Sequence, residues 1–202
     1  MLPHEISNKP YAQSSEENKF VILQAIQGFL TERSSVLEIA SGTGQHAVYF
    51  AEQMPHIKWQ TSDLTDAHAG IKQWIADSDL NNVLPPLCLN VSENDWPATR
   101  YDALFSANSF HIMSKSNVED LFAHLSQVLN ANGLVMIYGP FNYNGQYTSE
   151  SNARFDDWLK QRNPHSGIKA FEWCNQLAEQ AGLNFLEDIE MPQNNRLLVW
   201  KI

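Results

Sequence analysis

Apolar residues recur along this chain in two rhythms, one at three- to four-residue spacing and one in short continuous runs, and the two alternate. Phe20, Leu23, Ile26, Gln27 and Leu30 share one face at helical spacing and predict a helix over Glu16–Thr31, with Ser14 or Ser15 placed to cap it. Val36–Ala40, an apolar run around one carboxylate, predicts a strand; Gln45–Gln53 predicts a helix and Ile57–Ser62 the next strand. The series continues with a helix over Ala67–Ala76, strands over Pro85–Val91 and Tyr101–Ala107, a helix over Asn117–Leu129, and a strand over Leu134–Tyr138 after an Asn132-Gly133 turn. Thr148–Arg162 predicts a polar helix with Phe155, Trp158 and Leu159 inward. Ser166 is placed to cap another over Ile168–Ala181, which Gly182 ends.

Asn184–Glu190 and Arg196–Ile202 are extended runs with only a short link between them. A parallel crossover needs about a dozen residues or more, so these two strands form an antiparallel hairpin. Strand–helix alternation nearly end to end predicts an α/β fold with a mostly parallel sheet and helices on both faces.

The densest candidate chemistry lies at the first strand–helix junction, Glu38-Ile-Ala-Ser-Gly-Thr-Gly44. Gly42 and Gly44 permit positive φ and close backbone approach. Asp63 falls at the carboxyl end of the next strand, where a carboxylate can accept hydrogen bonds from both hydroxyls of a ribose. A glycine pair alone is weak evidence, but an acid about 20 residues on makes it a nucleoside-cofactor pattern. Gly42-Thr-Gly-Gln-His-Ala47 also fits the dinucleotide fingerprint. Glu38 opposes that fit, since a carboxylate beside the turn repels a pyrophosphate yet can help hold an ammonium group. S-adenosylmethionine (SAM) offers a ribose, an adenine and an amino-acid tail, and no phosphate.

At 202 residues the chain has the size of one domain over positions 1–202. No apolar run reaches the roughly 18 residues of a membrane span, and the N-terminus shows no signal-peptide core, which predicts a soluble cytosolic protein with no membrane partner. Thirteen basic against twenty-three acidic residues give a formal charge of −10, and Lys115, Lys160, Arg162 and Lys169 are scattered. That balance argues against nucleic acid and for a small-molecule substrate. Cys88 and Cys174 share no metal-ligand spacing and are expected as two buried thiols; His4, His56, His68, His124 and His165 form no metal-ligand pair and are expected at the surface, with no metal bound. Nothing in the sequence sets an oligomeric state.

The chain resembles the class I SAM-dependent methyltransferases over nearly its whole length. Glu38–Gly44 looks like their first motif, Asp63 like their ribose acid, Asn90-Val91 like the position beside the adenine, and Ala107-Asn108 like their fourth-strand segment. The final hairpin looks like their antiparallel seventh strand. More narrowly, Lys9-Pro-Tyr-Ala with Glu17-Asn-Lys, Glu38–His46, Asn108-Ser-Phe-His-Ile-Met113 and Tyr138-Gly-Pro-Phe141 resemble the methyltransferase-like 26 group. The resemblance implies a Rossmann-like fold with a seven-stranded sheet, SAM as cofactor and S-adenosylhomocysteine as its product. It implies cofactor contacts from Glu38, Ala40, Ser41, Gly42, Thr43, Gly44, His46, Asp63, Leu64, Asn90, Val91, Ala107 and Asn108. Asn90 departs from the aspartate common at the adenine position and offers a neutral amide instead. The resemblance identifies a cofactor better than a reaction.

His111, three residues after Asn108, sits where such a sheet opens, and an imidazole is suited to take a proton near neutrality. Packing against the cofactor or capping of the following turn is its alternative role. His46 is expected to pack beside the cofactor. In Pro140–Tyr147, Phe141 and Tyr143 can supply apolar contact and Asn142 a hydrogen bond to a substrate; a plain surface loop is the other reading. Residues 142–166 read as an insertion after the fifth strand, and residues 1–18 either as an N-terminal lid that brings Tyr11 and Asn18 to the site or as a flexible tail leading into an ordinary helix cap. SAM-dependent methyl transfer to a small molecule is the leading function. A non-catalytic SAM-binding or scaffold protein is the first alternative. A small NAD-dependent reductase is the second, disfavoured by Glu38 and the terminal hairpin.

Overall fold

The computed structural model describes residues 9–202, so His4 and the first part of the expected lid lie outside the described residues. Seven strands build one twisted sheet: β1 (Ser35–Glu38), β2 (Lys58–Asp63), β3 (Val83–Cys88), β4 (Tyr101–Ala107), β5 (Leu129–Gly139), β8 (Asn184–Met191) and β9 (Asn195–Lys201). Two-residue strands β6 (Phe141–Asn142) and β7 (Lys169–Ala170) pair parallel to each other apart from it. The main order is β3-β2-β1-β4-β5-β9-β8. Val36 pairs with both Trp59 and Ala103 in parallel register, whereas Ile137 pairs antiparallel with Leu198, so β9 is the reversed strand. The order reverses direction at β1 and β4, and open α/β sheets bind ligands at the carboxyl ends of strands at such a switch point.

Side-chain alternation along the strands sorts the apolar residues into two cores, one on each sheet face. Val36, Ala103, Phe105, Met136 and Val199 join Trp59 on one face, beneath α1 (Gln13–Leu30), α2 (Gln45–Gln53) and α3 (His68–Ser78). Leu37, Leu104, Val135, Ile137 and Trp200 point to the other, beneath α4 (Lys115–Val128) and α6 (Phe171–Gln180). With both faces covered, the central strands carry adjacent apolar residues on both faces, Val36-Leu37 in β1, Ala103–Phe105 in β4 and Leu134–Tyr138 in β5, which is why they read as continuous runs. Phe50, Trp59 and Phe105 meet at centroid distances of 5.4–5.8 Å in this core.

Several local expectations change. Helix α1 begins at Gln13, capped by Ala12, whose N–H donates to the Gln45 side chain at 2.6 Å; Ser14 and Ser15 lie inside the helix. Ser166 does not cap α6 but donates its hydroxyl to Ile112 O at 2.8 Å, and Ala170 occupies the cap position. Ser114 and Ser149 do cap, accepting from Asn117 N and Asn152 N, each at 3.1 Å. Of the two thiols only Cys174 is buried; Cys88, the last residue of β3 at the sheet's edge, is exposed beside Thr65 Oγ1. His124 is half-buried, stacked on Trp96 at 5.0 Å, and His68 is half-buried with Nε2 on Asp63 O at 3.0 Å, whereas His56 and His165 are exposed. Among the described residues no helix is long and apolar enough to cross a membrane, and no cluster of metal-ligating side chains forms.

Candidate active site

Two cavities open at the carboxyl ends of the parallel strands and meet there. The first, about 520 Å³, is floored by the turn after β1 and flanked by the ends of β2, β3 and β4. The chain reaches it through a run of unusual backbone: Ala40, Gly42, Gly44 and Asn108 all have positive φ. Serine side chains tie the turn down. Ser62 Oγ donates to Glu38 O at 2.6 Å, Ser62 N to Ser41 Oγ at 3.1 Å, and Ser106 Oγ to Ile39 O at 2.7 Å.

Asp63 stands at the end of β2 with each carboxylate oxygen accepting one backbone N–H, from Gly42 and from Leu64, both at 2.7 Å. Each oxygen keeps acceptor capacity, and the two amides fix the plane of the carboxylate toward the cavity wall. A Cβ on Gly42 would meet nothing within 4 Å, so the glycine leaves open space where a ligand can approach the backbone. Ile39, Leu64, Leu89, Val91 and Met113 add apolar wall. No lysine or arginine lines this cavity among the described residues. Asp63 is the one formally charged side chain on this wall among the described residues, so the cavity suits a ligand with hydroxyls to donate to a carboxylate and apolar parts to bury.

Ala40, Ser41, Gly42, Thr43, His46, Asp63, Leu64, Asn90, Val91, Ala107 and Asn108 all line the first cavity. Two expected contacts lie elsewhere. Glu38 is buried beneath the turn, accepting from Trp59 Nε1 at 3.2 Å; burial pushes its pKa up to about 7, with Ser41 and Trp59 hydrogen bonds opposing. Gly44 is set back against α3, 3.1 Å from Ile71 Cα once a Cβ is added. The Asn90 amide is spent on its own turn, donating to Glu93 Oε1 at 3.0 Å and accepting from Ser92 Oγ at 2.9 Å. Ala12, Ser14, Ser15, Ser109, Ile112 and Asn117 complete the wall. Ala12 falls in the quoted Lys9-Pro-Tyr-Ala and Ser109 and Ile112 in Asn108–Met113, whereas no motif marked Ser14, Ser15 or Asn117, which arrive with the packing of α1 and the start of α4.

The segment before α1 is fixed to α3. Lys9 pairs with Asp77 at 2.8 Å and sits 3.8 Å over the Trp74 ring, Trp74 Nε1 donates to Pro10 O at 2.7 Å, and a Cβ on Gly70 would fall 2.3 Å from Pro10 Cγ. These contacts bring Ala12, Ser14 and Ser15 to the first cavity, while Tyr11 points to solvent and is 56% exposed. Asn18 faces the second cavity and binds His46 Nε2 through Oδ1 at 2.7 Å. Burial holds the His46 imidazole down to about 4, so it stays neutral and stacks on Phe50.

The second cavity, about 590 Å³, shares Ser14, Asn108 and Ile112 with the first. His111 lines it, edge-on to Phe155 at 5.1 Å, and burial, with Lys169 adding, lowers its pKa to about 4. Its loop is clamped from behind: Gly167 N donates to His111 O at 2.9 Å and Lys169 Nζ to Met113 O at 2.6 Å. The expected substrate wall forms from other residues. Phe141 is fully buried against Phe110, Tyr143 donates its hydroxyl to Asp188 Oδ2 at 2.7 Å, and Asn142 faces a separate cavity of about 220 Å³. The strand pair β6–β7 turns those residues inward. Phe155 and Trp158, from α5 (Glu150–Arg162), line the second cavity instead, because α5 turns Asn152, Asp156 and Leu159 into the protein.

A seven-stranded sheet with one reversed strand near its edge, over a glycine turn with an acid on the next strand, is the Rossmann-like fold of class I methyltransferases. The sequence of residues 9–202 matches the family described as "Protein of unknown function (DUF938)", and the chain belongs to it. An O-methyltransferase family protein from Burkholderia thailandensis aligns at TM-score 0.83 with 16% identity, over 93% of this chain and 56% of that one. Human N-acetylserotonin methyltransferase, solved in complex with SAM, aligns at 0.77 with 13% identity over 93% and 52%. An O-methyltransferase family 2 protein from Planctomyces limnophilus, solved in complex with apigenin, aligns at 0.74 with 11% identity over 92% and 62%. The chain thus spans just over half the length of the first two and under two thirds of the third, and the likeness is one of fold.

Proposed function

We propose that this protein is a SAM-dependent methyltransferase whose first cavity holds the cofactor and whose second holds a small-molecule methyl acceptor. The observation that carries this reading is the junction at Asn108: two ligand-sized cavities share one wall at the carboxyl end of β4, beside a turn whose acid and glycine suit a nucleoside. The motifs quoted above support a place in the methyltransferase-like 26 group. When bound, SAM supplies an activated methyl group, whose bond to sulfur breaks as its bond to the acceptor forms. Asp63 would hold the ribose hydroxyls. Ile39, Leu89, Val91 and Met113 would enclose apolar parts of the cofactor, and residues 9–15 with α1 would help to exclude water. His111, neutral at physiological pH, would take the acceptor's proton, and Phe155 and Trp158 would bound the acceptor.

Calorimetry with S-adenosylhomocysteine and NADH tests the reading directly. The first should bind and the second should not, and Asp63→Ala should weaken S-adenosylhomocysteine by about 1.5–3 kcal/mol, the scale of hydrogen bonds to a charged group. Equal affinity in wild type and a folded Asp63→Ala variant would remove the carboxylate from the site.

A further inference from the structure

The second cavity has a chemical character of its own. Phe155 and Trp158 stack at 5.9 Å with 18° between their planes, and the His111 ring meets Phe155 edge-on, so a cluster of three aromatic rings lines part of the cavity. The wall also carries neutral hydrogen-bonding groups, Asn18, Asn195 and the Tyr138 phenol, which is raised above its usual pKa by burial and hydrogen-bonds to both amides. Glu17 is the one formally charged side chain on the wall among the described residues, and it is exposed. Arg162, the nearby cation, is engaged 4.6 Å over the Trp158 ring and is not part of the wall. A carboxylate or phosphate entering here would give up hydration and find no cation in return. An uncharged ring loses little water, gains dispersion and stacking on Phe155–Trp158, and can satisfy one hydroxyl on amides or imidazole.

We infer that the acceptor cavity takes an uncharged hydroxylated aromatic compound, a phenol, with its ring on Phe155–Trp158 and its hydroxyl toward the Asn108–His111 end. The inference rests on the methyltransferase reading. In the step it implies, the hydroxyl oxygen forms a bond to the methyl carbon as the carbon–sulfur bond breaks, and the hydroxyl proton passes to the neutral His111 imidazole and then to water. An aryl methyl ether and S-adenosylhomocysteine are the products. An anionic aromatic would give up hydration with no lysine or arginine on the wall to replace it, and an aliphatic alcohol has no face to stack.

The test is calorimetry on protein saturated with S-adenosylhomocysteine, using naphthol and its carboxylate counterpart naphthoate as probes. Naphthol should bind, naphthoate should bind at least about tenfold more weakly, and Trp158→Ala should weaken naphthol by about two- to tenfold while Trp158→Phe largely restores it, the scale of one aromatic contact. Trp158 is 47% exposed, so its replacement leaves the core intact. Naphthoate binding as well as naphthol, or naphthol affinity unchanged by Trp158→Ala, would overturn the inference. Failure of S-adenosylhomocysteine itself to bind would overturn both this inference and the reading beneath it. Its binding without any naphthol binding would overturn the acceptor class alone.

Discussion

Gly42 and Gly44 both stand in the left-handed region, at φ +60° and +90°, and answer to different demands. A side chain at Gly44 runs into the backbone of α3, whereas one at Gly42 projects into open space. Gly44→Ala should therefore cost stability, about 2–3 kcal/mol in urea denaturation, from a left-handed alanine plus crowding. Gly42→Ala should cost only the conformational part, about 1–2 kcal/mol, and should show its main effect as a loss of S-adenosylhomocysteine affinity. The sequence marked both glycines and the acid partner because turn geometry depends on residue type at fixed spacing. It could not separate their roles, since the approach of Ile71 to Gly44 is a contact between two helices. Glu38 was likewise visible as a carboxylate beside the turn. Its burial under Ser41 depends on Trp59, two elements away.

At the scale of elements, periodicity exposed every major strand and helix, and it erred where tertiary contacts set the ends. Helix α1 starts early because the Gln45 side chain binds Ala12 N, a bond between residues 33 apart. The aromatics of α5 read as an inward face. The helix instead buries Asp156, which accepts from Ile168 N at 2.6 Å and Tyr147 Oη at 2.6 Å, and this polar anchor turns Phe155 and Trp158 to the cavity. Hydrophobicity has no means of anticipating a buried aspartate. The segment of residues 9–12 gives a prediction of its own. Gly70→Ala should favour α3 by helix propensity, about 1 kcal/mol, yet displace Pro10 by direct overlap. Hydrogen exchange should then speed up across Tyr11–Asn18 while α3 is unchanged or slower, and S-adenosylhomocysteine should slow exchange across the same stretch in the wild type. Exchange that is equal in both proteins, with and without ligand, would show that docking of the segment contributes nothing to the cavity.

The molecule as a whole buries ionisable groups of opposite kinds around one site, and its stability should peak between their titrations. Glu38, raised from 4.5 to about 7 chiefly by burial, favours the fold while protonated, so its contribution is complete below about 4.5 and lost as pH rises through 7. His46 and His111, each lowered from 6.5 to about 4 chiefly by burial, favour the fold while neutral, and theirs is lost as pH falls from 6.5 through 4. Each group carries about 3 kcal/mol across its window. Denaturation across this range should show Glu38→Gln gaining on the wild type above about pH 5, reaching about 3 kcal/mol near pH 8, and no such gain at low pH. A pH-independent difference would place the Glu38 carboxyl in solvent. The shared wall at Ser14, Asn108 and Ile112 has a further consequence, for inhibition. One compound joining an adenosine to a flat ring could occupy both chambers without a second loss of translational freedom, so its affinity should approach the product of its halves multiplied by the effective concentration the linker sets. Such bisubstrate molecules would measure, by the shortest linker that works, how far apart the two ligands sit.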